Sequence, residues 1–367
     1  MNRFATNLAH ANTNRIIFIL VCVILGFGLN ILLASTSFLA RQEFGDPYFF
    51  LKKQVSFAIL GILAMIIFSQ VSWQMWREIA WPFYFISLFL LVLVFVPGIG
   101  HKAGGAWRWI QIAGISLQPS DPARLATIMV LARLFSNRET IQSSNILVAL
   151  VVVAAPVFLI AVEQDLGTAL HLVIAAGIFL TLTRFPFKIH LTLVFMSAPL
   201  LYFAIFNVPY RLERLKAFLD PWKFRYEAAY QLVASMRSFL SGGVWGNGLG
   251  EGLRRHNLQA RHTDFILAIV AEDLGIAGII LLLVLFFGLT IYGFLLMTRV
   301  KEDFPRLLGS GILLLFILQA TINMCVTMGM IPTTGINLPL FSYGGTSLLT
   351  YMIAFGIFLN ITREVEP

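Results

Sequence analysis

Apolar residues run through this chain in blocks of about twenty, separated by short polar stretches. A helix needs about 20 apolar residues to cross about 30 Å of hydrocarbon. Windows of that length fall near 16–36, 54–72, 80–98, 120–136, 145–162, 166–184, 189–207, 275–297, 307–328 and 346–362. Each predicts a membrane-spanning helix, which makes ten. The fourth is short and amphipathic, because Asp121, Arg124 and Arg133 fall within it. The first could pass for a signal peptide cleaved after Leu33-Ala34-Ser35, but its apolar run is too long for a signal core and predicts a retained helix. The expectation is one all-α polytopic membrane domain over 1–367, with a large extracytoplasmic loop, 208–264, between helices 7 and 8.

Composition supports the same class. Hydrophobic residues make up 58% of the 367 and charged residues 12%, against about 25% charged in a soluble domain. A soluble core stops growing near about 250–300 residues, so a soluble enzyme, a disordered chain and a disulfide scaffold are excluded. Cys22 and Cys325 lie in apolar runs and read as small buried hydrophobes. The net charge of +8 forms no basic stripe, and no nucleic-acid partner is expected. It follows the loops instead. With the N-terminus inside, short cytoplasmic loops hold eleven Lys/Arg (Arg3, Arg15, Arg77, Arg133, Arg138, Arg184, Lys188, Arg299, Lys301, Arg306, Arg363) against five outside (Arg41, Lys52, Lys53, Lys102, Arg108). The positive-inside rule then puts both termini in the cytoplasm. The interesting segments, 98–121, 163–168, 208–264 and 329–345, all fall outside.

Charge near membrane depth is costly and needs a reason. Asp121, Glu163, Asp165 and Asp264 gather at outer helix mouths, with Glu272 and Asp273 further along. Asp121 follows Ser120 and precedes Pro122, which also reads as a helix start. Asp264 sits where the polar Arg261-His262-Thr263 re-enters an apolar helix, so it reads as a general base, a cation ligand or a helix cap. Glu272 and Asp273 read as ion-pairing acids. Six glycines between 242 and 252, among arginines, suit a diphosphate or a flexible loop. The uncharged 331–347 segment, with two prolines and three glycines, predicts a re-entrant plug or the wall of a head-group cavity.

These motifs resemble, over nearly the whole length, the SEDS family (shape, elongation, division and sporulation) of cell-wall glycan polymerases. The resemblance rests on Trp107-Arg108-Trp109-Ile110, Gln118-Pro119-Ser120-Asp121, Glu163-Gln164-Asp165-Leu166-Gly167, Phe218-Leu219-Asp220-Pro221-Trp222, the 246–252 glycines, His262-Thr263-Asp264 and the run from Pro339 to Gly345. Gly250-Glu251-Gly252 and Leu33-Ala34-Ser35 resemble the division-type members. Departures are Asp121 for Glu, Arg124 for Lys, Gln164 for Pro, and Leu258-Gln259-Ala260-Arg261 for a Leu-Pro-acid run.

The resemblance implies a bacterial inner-membrane glycosyltransferase that polymerises lipid II outside the cell and releases undecaprenyl diphosphate. Asp264 would be the catalytic base, with Asp121, Glu163 and Asp165 in support. Trp107, Arg108, Gln118, Ser120, Arg124, Lys216, His262, Thr263, Ser342 and Tyr343 would contact substrate. A divalent cation (Mg or Mn) on Asp264 and Glu163 is expected, and no nucleotide. A class B penicillin-binding transpeptidase and other division proteins are the expected partners, with membrane lipid around the chain. The rival expectation is a flippase or transporter for a lipid-linked precursor, whose ionisable groups should lie at mid-membrane.

Overall fold

The computed structural model describes residues 2–103, 106–112, 115–136, 143–183, 185–252, 258 and 260–364. Arg138 and Arg184 of the charge count, and Gln259 of the family departures, lie outside the described residues. The chain is mostly helical: α1 (Asn2–Phe44), α2 (Phe49–Phe68), α3 (Trp73–Leu93), α4 (Ser120–Leu134), α5 (Ser143–Val162), α6 (Leu166–Thr181), α7 (Phe187–Phe206), α8 (Pro209–Leu219), α9 (Tyr230–Gly242), α10 (Ile266–Met297), α11 (Asp303–Thr327) and α12 (Gly345–Ile361). Among the described residues six helices are long and apolar enough to cross a membrane: α1 from Asn14 on, α2, α3, α5 from Ser144, α10 and α11. The bundle wears an apolar exterior that only lipid can face, as at Ile59, Leu63 and Ile67 of α2 and Phe85 and Phe89 of α3.

Inside, α11 is the central rod. Phe316 is fully buried and stacks on Phe286 of α10 at 5.1 Å. Packing between lipid-embedded helices depends on close fit, which small residues allow. On α12, Gly356 lies so near α2 that a Cβ there would come within 2.7 Å of the Met65 carbonyl oxygen. α4, read from sequence as amphipathic, is instead buried on nearly every face, because its Arg124 turns inward to paired partners.

The wholly helical expectation needs one correction. Residues Gly100–Ala103 (β1), Ala106–Ile112 (β2) and Ile115–Leu117 (β3) form an antiparallel sheet, with Ile110 paired to Gly100 and Leu117. Ile110 is its buried anchor. The 208–264 segment is also not a plain loop, since it contains α8 and α9.

Its glycines have a structural task. Gly275 (φ +64°) breaks α10, and the glycine loop after α9 is fitted against that break. Asn247 and Gly248 donate N–H groups to the carbonyls of Glu272 and Asp273 at 3.0 Å each, and Gly250 donates to the Asp273 carboxylate at 2.9 Å. Those donors are therefore engaged by the chain itself, which favours the clamp over a phosphate cradle. Glu272 accepts the Ser238 hydroxyl at 3.0 Å. Gly246 (φ +78°) has its would-be Cβ 2.2 Å from the Asp273 carbonyl. Gly246→Ala is expected to destabilise the protein by about 2 kcal/mol or more, combining left-handed strain with a backbone clash. Thermal unfolding in detergent would check this, and an unchanged transition would mean the clamp adds nothing.

Candidate functional site

Three pieces of chain converge at one end of the bundle: the α5–α6 corner, the approach to α10, and the 331–345 segment. At the corner, Gln164 adopts φ +68° and reverses the chain. Asp165 then caps α6, its Oδ1 accepting the Thr168 N–H at 3.1 Å. Its Oδ2 faces Arg108 Nη1 from β2 at 3.5 Å. Glu163 is fully buried and neither carboxyl oxygen has a hydrogen-bond partner. Burial, reinforced by the Asp165 charge and opposed by Arg108, pushes its pKa up to about 8, so it keeps its proton at neutral pH.

Asp264 does not cap a helix. Phe265 occupies that position, without any side-chain cap bond. The Asp264 backbone carbonyl instead accepts Asn323 Nδ2 at 2.8 Å and the Thr327 hydroxyl at 3.3 Å, both from α11. Its side chain and Arg108 flank Gly335: a Cβ there would lie 3.7 Å from Asp264 Oδ2 and 3.8 Å from Arg108 Nη1. Burial raises the Asp264 pKa to about 6, with Arg108 and Arg214 pulling down and Asp165 pushing up. A carboxylate of that basicity, beside a guanidinium, is suited to taking a proton from an alcohol.

Arg108 also lines a cavity of about 920 Å³ enclosed by α6, α8, α11 and residues 331–334. Arg211 and Arg214 line it too, while Leu170, Ile174 and Ile322 make it apolar elsewhere. Arg214 Nη1 donates to the Thr333 carbonyl at 3.0 Å, which ties α8 to the re-entrant segment. Arginines over an apolar trough match an anionic head group on a hydrocarbon tail. The 331–345 segment thus supplies a cavity wall.

Most of the other expected residues fall into two groups. Asp121 and Arg124 form an ion pair inside the bundle; Arg124 also bonds Gln319 at 2.6 Å and His171 Nδ1 at 3.0 Å. Gln319 accepts the Tyr351 hydroxyl at 2.8 Å and donates to Asn337 at 2.9 Å. This network joins α4, α6, α11 and α12, and Arg124 does not line the cavity. The second group braces the backbone. Ser342 donates to the Thr263 carbonyl at 2.7 Å and accepts the Leu338 N–H at 2.9 Å. Tyr343 donates its N–H to the His262 carbonyl at 2.8 Å, and the Thr263 hydroxyl donates to the Ala260 carbonyl at 3.4 Å. The His262 ring lies between Phe50 (5.1 Å) and Tyr343 (5.8 Å). Burial, aided by Arg261, lowers its pKa to about 4 and keeps it neutral. Ser120 is buried, Gln118 half-buried, Trp107 41% exposed and Lys216 exposed, none of them lining the cavity.

Sequence reasoning did not single out Arg211, Arg214, Asn323 or Gln54. Gln54 of α2 holds the re-entrant segment through the Ser342 carbonyl and the Gly344 N–H, each at 3.2 Å. A signal did exist for the two arginines: positions 211, 214 and 215 share one face of a helix, whereas Lys216 points elsewhere. As for a cation, no group of three His, Cys, Asp or Glu side chains among the described residues could hold a metal ion. The guanidinium of Arg108 stands beside both Asp165 and Asp264, so positive charge is already supplied. This donor set does not fit a protein-built metal cage, and no step below passes through a metal.

The family model of cell cycle proteins that unites FtsW, RodA and SpoVE matches residues 14–366. The probable peptidoglycan glycosyltransferase FtsW of Geobacter metallireducens is 37% identical, covering 99% of this chain and 98% of that protein. Stage V sporulation protein E of Bacillus subtilis is 34% identical, covering 94% of this chain and 95% of that protein. Among solved structures, a chain of a peptidoglycan synthase complex that coordinates polymerization and crosslinking superposes with a TM-score of 0.79 at 27% identity, covering 95% of this chain and 96% of that one. The rod shape determining protein RodA of Thermus thermophilus gives 0.71 at 26%, covering 95% of each. With the match spanning nearly its full length, this multi-pass membrane chain belongs to the FtsW/RodA/SpoVE family of cell cycle proteins.

Proposed function

We propose that this protein is a peptidoglycan glycosyltransferase that joins lipid II units into β-1,4-linked glycan at the outer face of the bacterial inner membrane during division. The observation that carries the reading is a half-buried carboxylate, Asp264, sharing the Gly335 corner with an arginine that also lines a mostly apolar cavity. Asp264 takes the proton of the acceptor sugar hydroxyl. The oxygen attacks the anomeric carbon of the growing strand, the bond to the diphosphate breaks, and undecaprenyl diphosphate leaves. A single displacement inverts the anomeric centre. Arg108, Arg211 and Arg214 receive the charge growing on the leaving diphosphate. Glu163, proton retained, adds no repulsion beside Asp165. The chain crosses the membrane ten times with both termini inside, 208–264 lies outside, and a class B penicillin-binding transpeptidase with other division proteins completes the assembly.

The test is labelled lipid II supplied to the purified chain and its transpeptidase in proteoliposomes. Polymer is expected. Its rate should fall about tenfold per pH unit below about 6, as Asp264 gains a proton and loses its basicity. It should fall again above about 8, as Glu163 ionises beside Asp165, and Glu163→Gln should remove that alkaline limb alone. Lipid II that crosses the bilayer without forming polymer would make the protein a transporter instead.

A further inference from the structure

At the opposite end of the bundle the start of the apolar run of α1, the end of α2 and the 3-10 turn Thr362–Glu364 after α12 come together. They enclose a cavity of about 230 Å³ lined by Asn14, Arg15, Phe18, Ile19, Ser69 and Arg363, with Leu359 behind. Its walls are braced: the Thr362 hydroxyl donates to the Asn14 side-chain oxygen, and Asn360 Nδ2 donates to the Ser69 carbonyl at 3.1 Å. With its oxygen engaged, what Asn14 has left to offer a ligand is N–H.

Two guanidiniums from opposite ends of the chain thus share one small cavity, and among the described residues no carboxylate is in its lining. Like charges so placed repel unless an anion sits between them. Neither arginine is in an ion pair among the described residues. Phe18 is half-buried and Ile19 is 56% exposed, so an apolar strip continues from the cavity onto the lipid-facing side of α1. Cations at the membrane–water boundary with apolar surface directly beneath match one chemistry, a phosphodiester carrying acyl chains.

We propose that Arg15 and Arg363, with Asn14, form a binding site for the phosphodiester of an anionic phospholipid, whose acyl chain lies along Phe18 and Ile19. The site pins the first and last spanning segments to one lipid. It is independent of the catalytic reading, being at the other end of the bundle.

The test is native mass spectrometry of the full chain in detergent, titrated with phosphatidylglycerol, phosphatidylcholine or inorganic phosphate. Phosphatidylglycerol should bind wild type at least tenfold more tightly than R15Q/R363Q, with R363Q alone intermediate. Both arginines are exposed, and an unchanged unfolding temperature of each variant without lipid certifies its fold. Equal phosphatidylglycerol binding by wild type and R363Q would overturn the site, and so would phosphatidylcholine binding as tightly as phosphatidylglycerol. Inorganic phosphate competing the lipid off at equal concentration would reduce the site to a free-anion pocket and overturn the lipid assignment.

Discussion

Asp264→Asn is expected to lower the polymerisation rate by about a hundred- to ten-thousand-fold, the range that a positioned base supplies. Asparagine keeps the shape but cannot take the proton. The fold should survive, because what ties this position to α11 is its backbone carbonyl, bonded to Asn323 and Thr327, and not its side chain. Lipid II should still bind, since the arginines of the cavity are untouched. Gel separation of glycan products, alongside the unfolding temperature of wild type and variant, makes the check. Equal polymer from the two proteins would remove Asp264 from the chemistry.

Arg124→Ala should act on stability and not on the chemical step. Its side chain is 6% exposed and holds Asp121, Gln319 and His171 together. Removing one member of a buried ion pair strands the other and costs about 3–5 kcal/mol. Replacing both charges with apolar residues of similar volume, as in Asp121→Leu with Arg124→Met, should recover much of that loss. Unfolding of both variants in detergent tests the idea. A single variant as stable as wild type would mean that the pair does not hold α4 in place.

Apolar blocks were enough to find the rods, because lipid demands continuous runs and tolerates few exceptions. They were less able to find where the rods begin. The window at 80–98 begins inside α3, which starts at Trp73, because Arg77 and Glu78 dilute its first turns. The window at 275–297 begins at Gly275, the break inside α10, and misses the stretch that carries Glu272 and Asp273. Around the site, the acids were legible because charge at an outer helix mouth is conspicuous. Their partners were not. Asn323 looks like any polar residue in an apolar helix, and only folding shows that it holds the carbonyl of Asp264. Asp121 carries the same charge as Asp264, yet its own arginine three residues away holds it inside the bundle.

The break at Gly275 carries one more implication. Past it, α10 is a lipid-facing rod, with Ile276, Ile280 and Val284 outward, and rods of that kind tilt to match the thickness of the bilayer. Asp264 hangs from the central helix across the break. A thicker or thinner membrane that leaned the rod would therefore load the glycine clamp at the break first, and would reach the carboxylate only through α11, on which Phe286 of the rod stacks.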